Sequence, residues 1–229
     1  MTTNLLDNPI WHALEGPHGR HALGRGLARH YPRDIAPFSA IAEASPAAYS
    51  DLADDLPAGT EARLLRPQVE PLPKGWEEIR RWPLLQMVAQ RPPEDPAEEG
   101  ELSAAVLSQG DAPALMDLVA ATEPGPFARR TPLLGSYLGI RDGHRLMAMA
   151  GERMRVPGHV ELSAICVHPE ARGKGYAAAL TQELMRRAFA QGERPFLHVR
   201  PDNGPAIALY RRLGFETRRE LVMMWRRPT

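Results

Sequence analysis

The sequence predicts an α+β fold, in which a mixed, mostly antiparallel central sheet is flanked by helices. Asp142 and Gly143 lie between two apolar runs, a pattern typical of a β-hairpin. Residues 176–190 carry apolar side chains at helical spacing. Beyond this helix, strand-like and helical segments alternate. An antiparallel meander is therefore followed by helix, strand, helix and strand.

Turn and capping residues define the elements before the long helix. Asp111 is a suitable N-cap for a helix over residues 112–121. Pro157 and Gly158 make the turn that follows the hairpin. The strands predicted in this part cover residues 101–107, 136–140, 145–150 and 160–167.

Glycine and proline mark the ends of the later elements. Gly192 ends the helix over residues 176–190. After a strand over residues 196–199, Asn203 and Pro205 begin a second helix, because proline is tolerated in a first helical turn. Residues 215–225 supply the last strands. The inner face of the second helix carries Ala206, Leu209, Tyr210 and Leu213.

Prolines divide the N-terminal part into short pieces. Helices are predicted over residues 14–29 and 46–56, and strands over residues 62–65 and 84–88. Residues 91–100 are proline-rich, acidic and free of large apolar side chains, as linkers are. We therefore expect two domains, covering residues 1–98 and 99–229.

Composition narrows the class of protein. The chain has 229 residues, with 28 basic and 28 acidic side chains. Nucleic-acid-binding proteins usually have a basic excess, so we expect no nucleic-acid partner. The N-terminus lacks the pattern of a signal peptide, and no apolar stretch approaches the ~20 residues that cross a bilayer, so we expect no membrane association. A single cysteine, Cys166, is consistent with a reducing compartment, and the sequence indicates a cytoplasmic protein.

The early histidines do not form a recognisable metal site. The spacing of His18 and His21 suits a metal, but no cysteine and no close acidic pair completes a ligand set. We expect these histidines to be scattered on the surface and the protein to bind no metal.

The most informative segment leads from a predicted strand into the helix over residues 176–190. Gly173 and Gly175 allow a ligand to approach the backbone closely. The exposed N–H groups of the turn and of the helix N-terminus favour an anion, and Arg172 and Lys174 add positive charge. This construction is expected for a pyrophosphate.

Three classes of phosphate-bearing ligand could occupy a glycine-rich turn of this kind. A Walker P-loop requires serine or threonine after Gly-Lys, whereas Gly175 follows Lys174. Gly173, Gly175 and Ala178 fit a dinucleotide fingerprint, but residues 168–172 separate them from the strand and no alternating βα units follow. The third ligand is coenzyme A.

Two motifs resemble those of the GNAT superfamily of acyltransferases. Residues 172–177 resemble its acyl-CoA signature, Gln/Arg-x-x-Gly-x-Gly/Ala. Residues 203–215 resemble its second motif, N-x-x-A-x-x-x-Y-x-x-x-G-F. Both occur in the order and at the separation usual for that family. The resemblance covers residues 101–226 and implies a GNAT fold that uses acetyl-CoA as the acyl donor, without a metal.

Residues 161–169 and 196–199 are together similar to the branch that shares its C-terminal domain with glycine N-acyltransferases. Two-part members of that branch carry a degenerate GNAT-like half at the N-terminus. The resemblance therefore implies that residues 1–98 form such a half.

The resemblance also implies which residues hold the coenzyme. The backbone of Ile165, Cys166 and Val167 would pair with the pantetheine arm as an added strand. Asn203 would contact the coenzyme near its pantetheine end. Backbone N–H groups would hold the pyrophosphate at Arg172, Gly173, Lys174, Gly175, Tyr176 and Ala177.

Three side chains are candidates for proton transfer. By resemblance Tyr210 protonates the departing thiolate; otherwise it is a packed helix residue. Glu161 occupies the position at which histone-acetylating relatives place their general base. A glutamate partly buried in a strand would have a raised pKa and could take the proton of the amine; otherwise it is a structural carboxylate. Strand alternation predicts that Glu161 shares a face with Ser163, Ile165 and Val167.

His198, on the adjacent predicted strand, is the second candidate base; otherwise it is a hydrogen-bonded core histidine. Glu123 lies in the loop after the first helix of the C-terminal part, where such enzymes often contact the acceptor.

The sequence therefore predicts an N-acetyltransferase that moves an acetyl group from acetyl-CoA to a primary amine by direct attack in a ternary complex. The acceptor is a small-molecule or peptide amine that the sequence does not identify, and the oligomeric state, homodimer included, stays open. The alternatives are a non-catalytic acyl-CoA-binding regulatory module and a nucleotide-linked oxidoreductase.

Overall fold

The computed structural model describes residues 4–94 and 104–229. Its helices are α1 (Pro9–Leu14), α2 (Pro46–Asp55), α3 (Ala112–Thr122), α4 (Tyr176–Ala190) and α5 (Gly204–Arg212). Its strands are β1 (Ala28–His30), β2 (Ser39–Ile41), β3 (Ala62–Arg66), β4 (Trp76–Ala89), β5 (Ala105–Leu107), β6 (Tyr137–Asp142), β7 (Arg145–Val156), β8 (His159–Val167), β9 (Arg194–Val199) and β10 (Phe215–Pro228).

Eight of these strands form one open sheet in the order β3-β10-β4-β9-β8-β7-β6-β5. Every neighbouring pair is antiparallel except β8 and β9, which run parallel. Strands β1 and β2 form a separate antiparallel ribbon. The prediction of an α+β fold with a mixed, mostly antiparallel sheet is therefore confirmed.

Strands from both ends of the chain meet in this sheet. Strand β4, from the N-terminal part, lies between β9 and β10, with Leu85 opposite Val199 and Leu84 opposite Leu221. The predicted boundary at residues 98 and 99 and most of the predicted linker lie outside the described residues. The division into two domains, and the degenerate GNAT-like character of the first, stay predictions.

Most of the predicted elements are present. Helix α4 has the predicted bounds, α2 and α3 agree within one residue, and the predicted strand over residues 84–88 is part of the longer β4. Of the predicted strand over residues 101–107, residues 101–103 lie outside the described part, and β5 covers Ala105–Leu107.

Two local predictions are wrong in whole or in part. Residues 14–29 do not form one helix, because α1 ends at Leu14 and the chain turns through Gly24 and Gly26, whose φ angles of 104° and 53° are left-handed. Asp111 is at the predicted N-cap position of α3, but its side chain makes no cap hydrogen bond to this helix. Its carboxylate accepts hydrogen bonds from the N–H and hydroxyl of Ser108 instead, in a capping box one turn earlier.

The expectation of surface histidines is also wrong for His18 and His30, which are buried. Nδ1 of His18 lies 2.9 Å from the hydroxyl of Tyr31, and burial, with neighbouring cationic groups, lowers the pKa of His18 to about 4. In residues 4–94 and 104–229, no group of three or more His, Cys, Asp or Glu side chains could hold a metal. Over the same residues, no helix has the length and apolar character that crossing a membrane requires.

The two faces of the sheet pack against different helices, and this decides where each side chain of the site points. On one face Phe196, Leu221 and Met223 pack in a cluster with residues of α1. On the opposite face Leu197 and Val199 pack in a cluster with residues of α4 and α5. We call these the α1 face and the α4 face.

Candidate active site

Strands β8 and β9 diverge, and a cavity opens between them. They pair only at their beginnings, where His159, Val160 and Glu161 lie opposite Arg194, Pro195 and Phe196. Beyond this point a cavity of about 600 Å³ is lined by residues 162–167 of β8 on one side and residues 197–200 on the other. The cavity is reached from both faces of the sheet, since residues of both clusters line it.

A bulge in β8 changes which side chains point to each face. Ala164 has a left-handed φ of 53°, and the register against β7 shifts at this point. Leu162, Ile165 and Val167 lie on the α4 face, whereas Ala164 and Cys166 pack against the cluster around α3. The prediction that Glu161 shares a face with Ile165 and Val167 is therefore wrong, because the bulge inserts one residue between them.

The glycine turn has the conformation that the sequence predicts. Gly173 and Gly175 have φ angles of 80° and 78°, and a Cβ atom added at either position would meet no atom within 4 Å. The surface over both glycines is thus open, and α4 begins at Tyr176 with N–H groups that have no partner within the helix. Arg172, just before the turn, lines the cavity.

Tyr210 faces the same cavity from α5. Its side chain is 9% exposed, and burial raises the pKa of its hydroxyl to about 12. In the described part of the chain no group hydrogen-bonds this hydroxyl. Asn203 also lines the cavity, and its side-chain oxygen accepts a hydrogen bond of 3.2 Å from the N–H of Ala206, which caps α5.

Glu161 is fully buried on the α1 face, and protein donors occupy both of its oxygens. Arg153 donates from Nε to Oε2 at 2.8 Å and from Nη2 to Oε1 at 2.7 Å, and the N–H of Met154 donates to Oε2 at 3.3 Å. Nδ1 of His198 lies 2.7 Å from Oε1.

The expected rise in the pKa of Glu161 is wrong. Burial alone would raise this pKa, but Arg153 and His198 outweigh burial and lower it to about 2. Glu161 is therefore ionised in the neutral and alkaline range in which amines lose their proton.

The tautomer of His198 follows from its neighbours. Arg218 donates to Oε1 of Gln86 at 2.7 Å, so the amide NH₂ of Gln86 faces His198 and lies 3.0 Å from its Nε2. An NH₂ group can only donate, so Nε2 is the acceptor and Nδ1–H donates to Glu161. The one lone pair on the imidazole ring is thus already occupied by Gln86.

The sequence did not point to several of these residues. Arg153 alternates with buried side chains in β7, and Gln86 is the only polar side chain between Leu84 and Val88, a signal that a buried partner exists. Glu123, which is expected from the sequence to lie in an acceptor-contacting loop, has a left-handed φ of 45° and lines the cavity.

Known proteins share parts or all of this architecture. A family model described as FR47-like protein matches residues 137–225. The chain is 40% identical over 83 residues to the N-alpha-acetyltransferase RimI of Mycobacterium tuberculosis, an alignment that covers 35% of this chain and 51% of the relative. The chain therefore spans about half the length of that relative.

Two solved structures extend the likeness to nearly the whole chain. A GCN5-related N-acetyltransferase from Kribbella flavida has a TM-score of 0.65 at 20% identity and covers 96% of this chain and 94% of its own, which shows a common fold. A GNAT family protein from Novosphingobium aromaticivorans has a TM-score of 0.89 at 37% identity and covers 99% of this chain and 100% of its own. This identity over the full length agrees with the diverging strands and the glycine turn, and the chain belongs to the GNAT family.

Proposed function

We propose that the protein transfers an acetyl group from acetyl-CoA to a primary amine. The observation that carries the proposal is the cavity between β8 and β9, which Tyr210, Asn203 and Arg172 line together. A glycine turn adjoins it, and among the described residues no backbone carbonyl accepts from the N–H groups of Gly173 to Ala177. One surface would therefore offer a phosphate site and a proton donor.

The coenzyme would be held mainly by backbone groups. Within the described part of the chain, β8 has no partner on its β9 side beyond Glu161, so the backbone of Ile165, Cys166 and Val167 could pair with an extended pantetheine arm. The turn that runs from Arg172 through Gly173, Lys174, Gly175 and Tyr176 to Ala177 would hold the pyrophosphate, and Asn203 would contact the pantetheine end.

Tyr210 would supply the proton to the departing thiolate. A pKa of about 12 keeps its hydroxyl protonated at any pH at which the enzyme works. The hydroxyl also has no hydrogen-bond partner within the described residues, which leaves its proton available to a ligand.

The proton of the amine has three candidate acceptors: Glu161, His198 and water. Glu161 has a lowered pKa and both oxygens occupied, and Nε2 of His198 accepts from Gln86. To act as a base, either side chain would first have to exchange these hydrogen bonds. This favours water as the group that takes the proton of the amine, and a role of Glu161 or His198 as the base stays a prediction.

Direct transfer in a ternary complex is favoured over an acyl-enzyme. Cys166 is the only cysteine, and burial raises the pKa of its thiol to about 11, so the thiolate needed for attack is scarce. We also retain the branch that resembles the C-terminal domain of glycine N-acyltransferases as a finer proposal, which rests on residues 161–169 and 196–199.

The test is an acetyl-CoA turnover screen that measures the released thiol. The amine panel should include peptides with a free α-amine, because one relative is named an N-alpha-acetyltransferase. We expect turnover with at least one amine and its loss in Tyr210→Phe. Tight acetyl-CoA binding by calorimetry without any turnover would favour the regulatory module, and absence of both would contradict the proposal.

A further inference from the structure

The α1-face half of the cavity has a different chemistry from the half beside the glycine turn. Its wall is built largely by N-terminal residues that lie outside the segment matched by the family model. It is aromatic and cationic, and comprises Phe38, Arg63, Trp82, Leu84, Met223 and Trp225. Since the phosphate site is on the α4 side, this half is where an acceptor would enter.

Arg63 in this wall has hydrogen-bond donors without acceptors. Its guanidinium carbon lies 3.8 Å from the centre of the Trp225 ring, so the stack uses the face of the guanidinium and none of its N–H groups. Its ion pair with Glu61 is long, at 3.8 Å. Among the described side chains, Nε of Arg63 and Nε1 of Trp225 are buried donors without partners.

The other arginine on this side of the cavity is already neutralised. Arg153 makes a two-bond pair with Glu161. Around Arg63, by contrast, Arg33 and Arg80 add positive charge. The pKa of Arg63 is lowered, chiefly by burial and further by these two arginines, although Glu61 acts to raise it. Around Arg63 positive charge therefore exceeds the negative charge of Glu61. Glu123 also lines the cavity, but it is not among the groups that shift the pKa of Arg63.

We propose that Arg63, stacked on Trp225, binds a carboxylate of the acceptor. A guanidinium edge with free N–H groups matches a carboxylate, which can accept two parallel hydrogen bonds. The acceptor class is then an amine that also carries a carboxylate, with its apolar part against Trp82 and Phe38. That this ligand is the acceptor rests on the proposed acetyl transfer, whereas the existence of a carboxylate site does not.

Binding of acetylated products tests the site without catalysis. The probes are N-acetylglycine, N-acetyl-leucine and N-acetyl-phenylalanine, each compared with its carboxamide by calorimetry in the presence of CoA. For at least one pair we expect the acid to bind at least tenfold more tightly than the amide. In Arg63→Gln the affinities of acid and amide should differ by less than twofold. In Arg63→Lys part of the preference for the acid should remain.

Arg80→Gln is the matched control. Arg80 also approaches the Trp225 ring, at 5.1 Å, but it is exposed and does not line the cavity. It adds positive charge near Arg63 without offering the ligand a hydrogen-bond donor, so the acid-to-amide ratio should fall only slightly in Arg80→Gln. Equal binding of acid and amide in every pair for the wild type, or an equal effect of both substitutions, would overturn the carboxylate site. That comparison in the wild type requires no variant to fold.

The two proposals can fail separately. Turnover of amines without a carboxylate preference would leave acetyl transfer standing and refute the role of Arg63. A carboxylate preference in binding without turnover of any amine would support the role of Arg63 and refute acetyl transfer.

Discussion

Nδ1 of His198 lies 2.7 Å from Oε1 of Glu161, and this hydrogen bond joins two strands at the point where they begin to diverge. Arg153 holds the carboxylate from one side and Gln86 holds the imidazole from the other. The side chains are buried, so the network fixes the floor of the cavity. It leaves no free basic lone pair on either residue.

Glu161→Gln should not move the pH profile of catalysis. Because the pKa of Glu161 is about 2, its charge is constant between pH 5 and pH 9, and the rise of kcat/KM with pH belongs to another group or to the amine. We expect the same apparent pKa in wild type and variant, measured with one acceptor in both proteins. Loss of the rising limb in Glu161→Gln would instead identify Glu161 as the base.

Stability should fall in acid through Glu161. Its pKa in the folded protein is about 2, below the ordinary value of 4.5, so its ionised form stabilises the fold above pH 4.5. This contribution, on the order of 3 kcal/mol, is lost as the pH falls from 4.5 towards 2.

Urea unfolding at pH 7, 4 and 3 measures this effect. The free energy of unfolding of Glu161→Gln should depend less on pH in this window than that of the wild type. Glu170→Gln is the control, since the ion pair of Glu170 with Arg145 is on the surface. An equal acid loss in wild type and Glu161→Gln would contradict the lowered pKa.

Tyr210→Phe should lower kcat by ~10²–10⁴-fold and leave the affinity for acetyl-CoA unchanged, because it removes a proton and keeps the ring. Tyr137→Phe is the matched control: Tyr137 is also a buried tyrosine with an unpartnered hydroxyl, but it does not line the cavity. Rates should be compared where chemistry limits turnover. An unchanged kcat in Tyr210→Phe would leave Tyr210 as a packing residue.

Gly175→Val should abolish binding of CoA. A β-branched residue is strained at a φ of 78°, at a cost of about 1–3 kcal/mol, and its side chain would occupy the surface over the turn. Gly158→Val provides the control for strain, since Gly158 has a φ of 75° and equally open surroundings in the turn between β7 and β8. Calorimetry should show normal CoA binding in the control only; normal binding in folded Gly175→Val would refute the phosphate site.

The parts of the site that depend on local patterns could be predicted from the sequence. The glycine turn, the caps of α4 and α5 and the position of Tyr210 on α5 each depend on residues that are contiguous in the sequence. The environment of Glu161 could not be predicted, because its pKa depends on Arg153 and His198, which reach it from two other strands. A single bulge at Ala164 also changed the face to which Glu161 points, and no residue type marks that bulge.

The α1-face half of the cavity could not be predicted from the sequence for a related reason. Arg63 and Trp225 face each other across β3 and β10, a pairing between segments that local patterns do not connect. In the sequence alone, Arg63 and Trp225 cannot be distinguished from ordinary surface and core residues of these strands.

The insertion of β4 between β9 and β10 has a consequence for how the chain acquires its structure. Gln86 and Arg218, which hydrogen-bond in the finished sheet, are 132 positions apart. During synthesis β3 and β4 therefore emerge long before their neighbours β9 and β10. The backbone N–H and C=O groups along their edges stay unpaired while β6, β7, β8 and α4 form. Such non-local pairing slows folding and prolongs exposure to aggregation. We expect refolding to be limited by the arrival of β10, and a fragment that lacks residues 1–94 to leave β9 and β10 without the strand that joins them.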